Sequence, residues 1–301
     1  MPLKRTLKTG PSPLAIFAYL TPGIIIYSFS VLLPVLGAIY YSFFNWTGGP
    51  KMKFIALGNY IELISDKAFW HSFQNNLYLT AVAIIGQIGL AFIFASMLNS
   101  RISKLKDLHR TLAFFPVTVS AVVVGFVWSM IYDYNYGLLN IVLKAIGADN
   151  LVQPWLSRNT GIMTLVSIPI VWQYIGLYLV ILLAAFTSID KEVFEMAEID
   201  GANSFKKALY ITLPMIKGSL IVCIMLCISG NMKAFDHIFV MTGGGPGTAS
   251  NVMAMYAYQT SFLKYRMGYG TTLSIGILIL SLAIVLISRG LLERAGRKGD
   301  V

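Results

Sequence analysis

Six apolar windows of about 20 residues or more divide this 301-residue chain, and five of them contain no Asp, Glu, Lys or Arg. They run from Leu14 to Phe44, Leu77 to Asn99, Thr111 to Tyr132, Gly161 to Thr187, Ile211 to Met232 and Thr271 to Ser288. A helix of that length crosses the ~30 Å hydrocarbon core of a bilayer and satisfies its own backbone polar groups there. The expectation is an all-α polytopic membrane protein: a single domain over 1–301 with six transmembrane helices. Charged residues make up 12% of the chain, against about 25% in soluble proteins, which excludes disordered, collagen-like and disulfide-stapled chains. The first window is too long for one perpendicular crossing and holds Pro22 and Pro34, so it is expected to begin as an interfacial segment before turning inward. The basic stub before it is followed by no small-residue cleavage site, so the first window should remain as an anchor. Lys217 is the single charge in a window, one turn inside its helix, from where its ammonium reaches back to the headgroups.

A net charge of +10 raises the question of nucleic acid, since basic proteins bind by displacing counterions from phosphates. In so apolar a chain the positive-inside rule is the better account, and no nucleic-acid partner is expected. With the N-terminus inside, inner segments collect 14 Lys and Arg and outer segments 8, with Lys217 completing the 23. Both termini are therefore expected on the cytoplasmic side of a cytoplasmic membrane, with lipid as the surrounding medium.

Catalytic and metal constellations are absent from the sequence. No Gly-Lys dipeptide occurs, so the phosphate-cradling loop of an ATPase cannot be built, and any driving ATP would be bound by another chain. His71, His109 and His237 fall in three different loops by hydropathy, without the spacing of a metal centre. Cys223 and Cys227 lie four apart on one helix face and are expected to pack. No carboxylate lies within any window, which weighs against the alternative of a stand-alone ion-coupled carrier or channel.

The neutral polar residues within the windows are the candidates for a substrate path: Gln87, Gln173, Tyr174, Ser229 and Asn231. Amides and phenols bind uncharged hydroxylated ligands without desolvating a charge, and Trp172 could add an aromatic face. The competing role for each is a hydrogen bond to a neighbouring helix. Trp46, Trp70, Tyr132, Tyr134 and Tyr136 cluster near the outer interface and read as anchors. The run Thr242-Gly243-Gly244-Gly245-Pro246-Gly247, in the last outer loop, should set backbone shape, with φ > 0 expected at Gly244.

Between the fourth and fifth windows, residues of about 190–212 alternate in helical spacing, with Val193, Phe194, Ala197 and Ile199 interleaved among Glu192, Glu195, Glu198 and Asp200. Gly201 permits a sharp turn. A second short helix from Ser204 to Thr212 then leads into the membrane at Leu213-Pro214. A helix-turn-helix with an acidic and then a basic limb is a shape suited to a groove on a soluble partner.

The stretch Glu195-Met-Ala-Glu-Ile-Asp200-Gly201-Ala202, followed by Ile211-Thr-Leu213-Pro214, resembles the cytoplasmic "EAA" loop of binding-protein-dependent ABC importer permeases, departing from it at Met196, where Ala is usual. Asn75-Asn76-Leu77, Phe115-Pro116, Trp128, Tyr136-Gly137-Leu138-Leu139-Asn140, Trp172 and Met241-Thr242-Gly243-Gly244-Gly245-Pro246 are similar to the carbohydrate and glycerol-3-phosphate branch. The resemblance implies a six-helix type I importer fold in a bacterial or archaeal membrane, paired with a second permease around a sugar path. It further implies two ATP-binding subunits that hold ATP and Mg, and an extracytoplasmic sugar-binding protein. By the same resemblance Glu195, Ala197, Asp200, Gly201 and Ala202 would dock the ATPase subunit, with Leu213 and Pro214 fixing the approach to the fifth span. Asn231 would point toward the path. No cofactor, metal or catalytic residue is implied in this chain.

Overall fold

The structure, a computed structural model, describes residues 12–99 and 106–297. The basic N-terminal stub and the 100–105 loop, on which part of the charge count rests, lie outside the described residues. Four helices are long and apolar enough to cross a membrane: Leu14–Ser42, Lys67–Leu98, Ile162–Thr187 and Met267–Arg294. Two bent pairs, Leu108–Thr118 with Ala121–Ile131 and Ser204–Met215 with Lys217–Asn231, raise the number to six if each pair is one span.

The first span corrects the expectation of an interfacial start, because Leu14–Ser42 is one helix of 29 residues. At 1.5 Å per residue it is about 43 Å long, more than the hydrocarbon core, which tilting or protrusion accommodates. A π-turn at Ser28–Leu32 lies just ahead of Pro34, where the proline ring needs room in the preceding turn. Residues 33–42 pack against the sixth span. The second span begins ten residues before its apolar window: Asp66 caps it, with Oδ1 accepting from the amides of Ala68 and Phe69 at 2.9 and 3.2 Å. Lys217 is the first residue of its helix rather than one turn inside it.

The third and fifth spans are not straight, as the windows had implied. The third bends by 96° between Thr118 and Ala121, and the fifth by 78° at Ile216. Pro116 lies inside the first half of the third span, while the chain turns beyond it, at Val119 and the extended Ser120. One departure from the all-helical expectation is a hairpin outside the spans, Phe44–Trp46 paired antiparallel with Met52–Phe54 in the register Phe44↔Phe54.

The second and fourth spans form the middle of the bundle. Ala83, Ala91, Leu179, Leu182, Cys223 and Cys227 meet in one core cluster of the second, fourth and fifth spans. Both cysteines are free and fully buried, as packing residues should be. Close approach of the fourth span to the first half of the third depends on Gly176, where an added Cβ would lie 2.0 Å from the Ala113 carbonyl oxygen. Tyr132 is buried, with its hydroxyl donating to the Leu165 carbonyl, so it is a packing residue and not an interfacial anchor. Tyr134 and Tyr136 are exposed.

Candidate functional site

The loop between the fourth and fifth spans folds as a helix, a turn and a second helix. Asp190 precedes the helix Lys191–Ile199, whose apolar side follows the sequence spacing: Val193 and Phe194 pack on the bundle core and Ala197 is buried. Asp200 ends the helix, and Gly201 takes φ +74°. That left-handed step lets the Ala202 amide donate back to the Ala197 carbonyl at 2.9 Å and the Gly201 amide to Glu198 at 3.1 Å, closing the helix end. Asn203 then caps Ser204–Met215, its side-chain oxygen accepting from the Lys206 amide. Lys207 Nζ joins the two limbs by pairing with Glu198 Oε1 at 2.7 Å.

The turn thus has an inner and an outer side. Inside lie Ala197 and the buried Thr212, with Leu213 half-buried; outside lie Glu195, Asp200, Gly201 and Pro214, with Ala202 half-buried. Large apolar side chains also face outward here, Ile199 at 87% and Phe205 at 73% exposure, with Met196 and Tyr210 beside them in sequence. These exposed apolar side chains lie on the same turn as the exposed acids Glu195 and Asp200.

Of the six candidate path residues, Ser229 is half-buried on the fifth span, and the other five fall into two groups. Gln87 and Asn231 meet around Cys227: the Gln87 amide nitrogen donates to the Ile170 carbonyl at 3.1 Å, and its oxygen accepts from the Cys227 thiol at 3.5 Å. Asn231 Nδ2 donates to the Cys227 carbonyl at 2.8 Å. Gln173, Tyr174 and Trp172 follow one another on the fourth span but face differently. Gln173 is buried, and its Nε2 donates to the carbonyl of Val119, at the bend of the third span. Tyr174 is half-buried, and Trp172 is 45% exposed with its ring 6.1 Å from that of Trp128.

Hydropathy placed His237 in an outer loop, yet it is buried on the short helix Asp236–Met241. Its Nε2 lies 2.7 Å from Gln173 Oε1. An amide oxygen only accepts, so with the amide in this orientation Nε2 carries the hydrogen. The Tyr174 ring lies 6.5 Å away. His71 and His109 are likewise on helices, Lys67–Ala83 and Lys106–Thr118, rather than in loops. No spacing in the sequence points to the His237–Gln173 pair, because the partners are 64 residues apart.

The glycine-rich run adopts positive φ at Gly243, Gly244 and Gly247, with Gly244 at +91°. The asparagines before the second apolar window tie this segment down. Asn75 Nδ2 donates to the carbonyls of Ala249 and Asn251. Asn76, fully buried, donates to the Asn231 carbonyl at 2.9 Å and accepts from the Met253 amide at 2.8 Å. Asn140 closes the 133–160 connection in the same way, donating to Tyr134 and Gln153 carbonyls and accepting from the Trp155 indole.

Comparison with known proteins agrees with this architecture. The family described as "Binding-protein-dependent transport system inner membrane component" matches residues 87–298. The chain is 31% identical over 266 residues to the trehalose/maltose transport system permease protein MalF of Thermococcus litoralis, covering 88% of this chain and 89% of that one. It is 28% identical over 282 residues to the sulfoquinovosyl glycerol transport system permease protein SmoG of Agrobacterium fabrum, covering 93% and 90%. A crystal structure of a bacterial ABC transporter importing the acidic polysaccharide alginate has a chain of the same fold, with TM-score 0.81 at 23% identity over 93% of this chain and 96% of that one. With a family match over more than two-thirds of its length, this chain belongs to the binding-protein-dependent transport system inner membrane components.

Proposed function

We propose that this permease forms, with a second permease chain, the membrane path of an ATP-driven importer for a sugar, an oligosaccharide or a glycoside. Two partner subunits bind ATP and Mg and hydrolyse the nucleotide; this chain is a transport subunit and not itself an enzyme. An extracytoplasmic binding protein delivers the sugar. Both termini lie on the cytoplasmic side of a bacterial or archaeal inner membrane, in keeping with the excess of Lys and Arg in the inner segments. The relatives named above support the sugar class, since one is named for trehalose and maltose and the other for a sulfoquinovosyl glycerol. A stand-alone ion-coupled carrier is set aside by the family membership.

The observation that carries the reading is the two-sided turn at 191–215, packed on the core through Val193, Phe194 and Ala197 while Ile199 and Phe205 stay exposed. Within it, Glu195, Asp200, Gly201 and Ala202 dock the ATPase subunit and Leu213 and Pro214 fix the approach to the fifth span; the docking role that the resemblance gave Ala197 is corrected, since its buried side chain supports the turn from inside. Trp172, 45% exposed, and the half-buried Tyr174 are the side chains that reach the path, while Gln87, Gln173 and Asn231 are buried and hydrogen-bonded within the chain and support it from behind. Charge-assisted contacts are worth about 1.5–3 kcal/mol when desolvated, against well under 1 kcal/mol for a solvated helix acid. Glu195→Lys should therefore abolish uptake and release the ATPase while the permease still inserts. Uptake and ATPase co-purification are measured in the same membranes, and normal values for both would overturn the assignment.

A further inference from the structure

A groove of about 410 Å³ opens between the fifth span's end, the helix Met253–Tyr258 with its following turn, and the sixth span. Phe235, Tyr258 and Phe262 line it in an unbroken ring series, with centroids 5.5 Å and 5.4 Å apart. The series continues through Phe239, stacked on Phe235 at 5.2 Å and 23°. Phe239 and Phe262 are both exposed. Lys233, Ser261 and Ser274 also line the groove, the two hydroxyls donating to the Ala257 and Gly270 carbonyls. Ser274 lies seven residues into the sixth helix, about 10 Å from its start, so the groove is set below the helix ends. No carboxylate lines it, and Lys233 makes no ion pair among the described residues.

Lys233 is exposed and makes no ion pair among the described residues, so an acid group on a ligand lying along the aromatic rings would find its charge partner there. Aromatic faces in series accept the apolar faces of successive sugar rings, and the few polar groups fix orientation. We propose that this groove is a subsite for a sugar carrying an acid group, with the rings stacking on Phe235, Tyr258 and Phe262 and the acid oxygens accepting from Lys233 Nζ. The proposal rests on the sugar-importer reading and narrows its substrate class to an anionic saccharide.

The test uses the complete importer, both permeases with both ATPase subunits, in phosphatidylcholine nanodiscs. It is titrated with trimannuronate and with maltotriose, matched in ring number. The acidic trisaccharide should bind about tenfold more tightly. Lys233→Gln should erase that preference, Lys233→Arg should keep most of it, and Phe262→Ala should weaken both ligands. Should Lys233→Gln fail to assemble, the wild-type preference must shrink between about 0.05 and 0.5 M salt, where a partly exposed charge pair is screened. Equal binding of the two sugars, or a preference untouched by Lys233→Gln and by salt, overturns the subsite while the importer reading stands. Binding of neither sugar, in a complex that retains no ATPase subunit, overturns both. If Lys233 serves a lipid headgroup instead, the discs show no sugar preference and Lys233-dependent retention of added phosphatidylglycerol, which also overturns the proposal.

Discussion

Gly201 sets the direction of the turn at 191–215 through one backbone angle. An added Cβ there meets nothing within 4 Å, so the cost of a side chain at φ +74° is conformational alone, about 1–2 kcal/mol for an ordinary residue. Asn tolerates that region better, and Pro is locked near φ −65°. Uptake should therefore fall in the order Gly201, Gly201→Asn, Gly201→Ala, Gly201→Pro, with ATPase co-purification following the same order. Equal uptake by the Asn and Ala variants would refute the role of the angle. Gln173 is a second residue that fixes local structure, because both ends of its amide are engaged, by the Val119 carbonyl and by His237. Gln173→Leu strands the buried His237 and the half-buried Val119 carbonyl and should cost about 1–3 kcal/mol, read as a lower unfolding temperature of the purified complex. Adding His237→Phe should recover part of the loss, since replacing both partners is milder than orphaning one. Strict additivity of the two variants would rule the pair out as a unit.

At the scale of elements, the fourth span is held against the third by a missing side chain. The Ala113 carbonyl would lie 2.0 Å from a Cβ at Gly176, and it is backbone, so relief requires the helices to part. Gly176→Ala should sharply reduce the amount of monodisperse permease extracted from membranes, and Gly176→Leu more so; normal yields for both would contradict the close approach. The six spans were legible because hydropathy records how much apolar surface a segment carries. It does not record direction, so the 96° and 78° bends escaped it. Pro116 lies inside the first half of the span, but the turn falls at Val119 and Ser120, where Gln173 supplies a hydrogen bond from another helix. The conformation of the 191–215 turn was legible because its signals are local: acids and apolar residues in helical spacing, then a glycine at the left-handed position. For Gln87, Gln173 and Asn231, residue type revealed hydrogen-bonding capacity but not partners, which lie on other helices or in the residue's own backbone.

At the scale of the whole molecule, one carboxylate joins segments some 200 residues apart. Asp66 caps the second span through Oδ1, while Oδ2 accepts from the hydroxyls of Tyr256 at 2.7 Å and Tyr269 at 2.6 Å. Tyr256 lies on the helix before the sixth span, and Tyr269 within the sixth helix. Arg266 stacks over Tyr269 and pairs in bidentate fashion with Glu62, so the same knot reaches the helix Gly58–Ser65. Burial alone would raise the Asp66 pKa, but the two tyrosine hydroxyls and the Phe69 and Ala68 amides outweigh it and hold the carboxyl below its ordinary value. A carboxyl whose folded pKa is depressed is protonated more readily in the unfolded chain. Its contribution is therefore complete above the unfolded pKa of about 3.9 and is lost as pH falls through the folded value. Asp66→Asn weakens the charged acceptor and, Asp66 being only half-buried, should cost about 1–2 kcal/mol at neutral pH. The gap in unfolding temperature between wild type and Asp66→Asn should then stay constant from pH 7 to about 5 and narrow below about pH 4. A gap that persists undiminished at the lowest pH, or is absent at pH 7, would show that these segments are held together by apolar packing without the carboxylate.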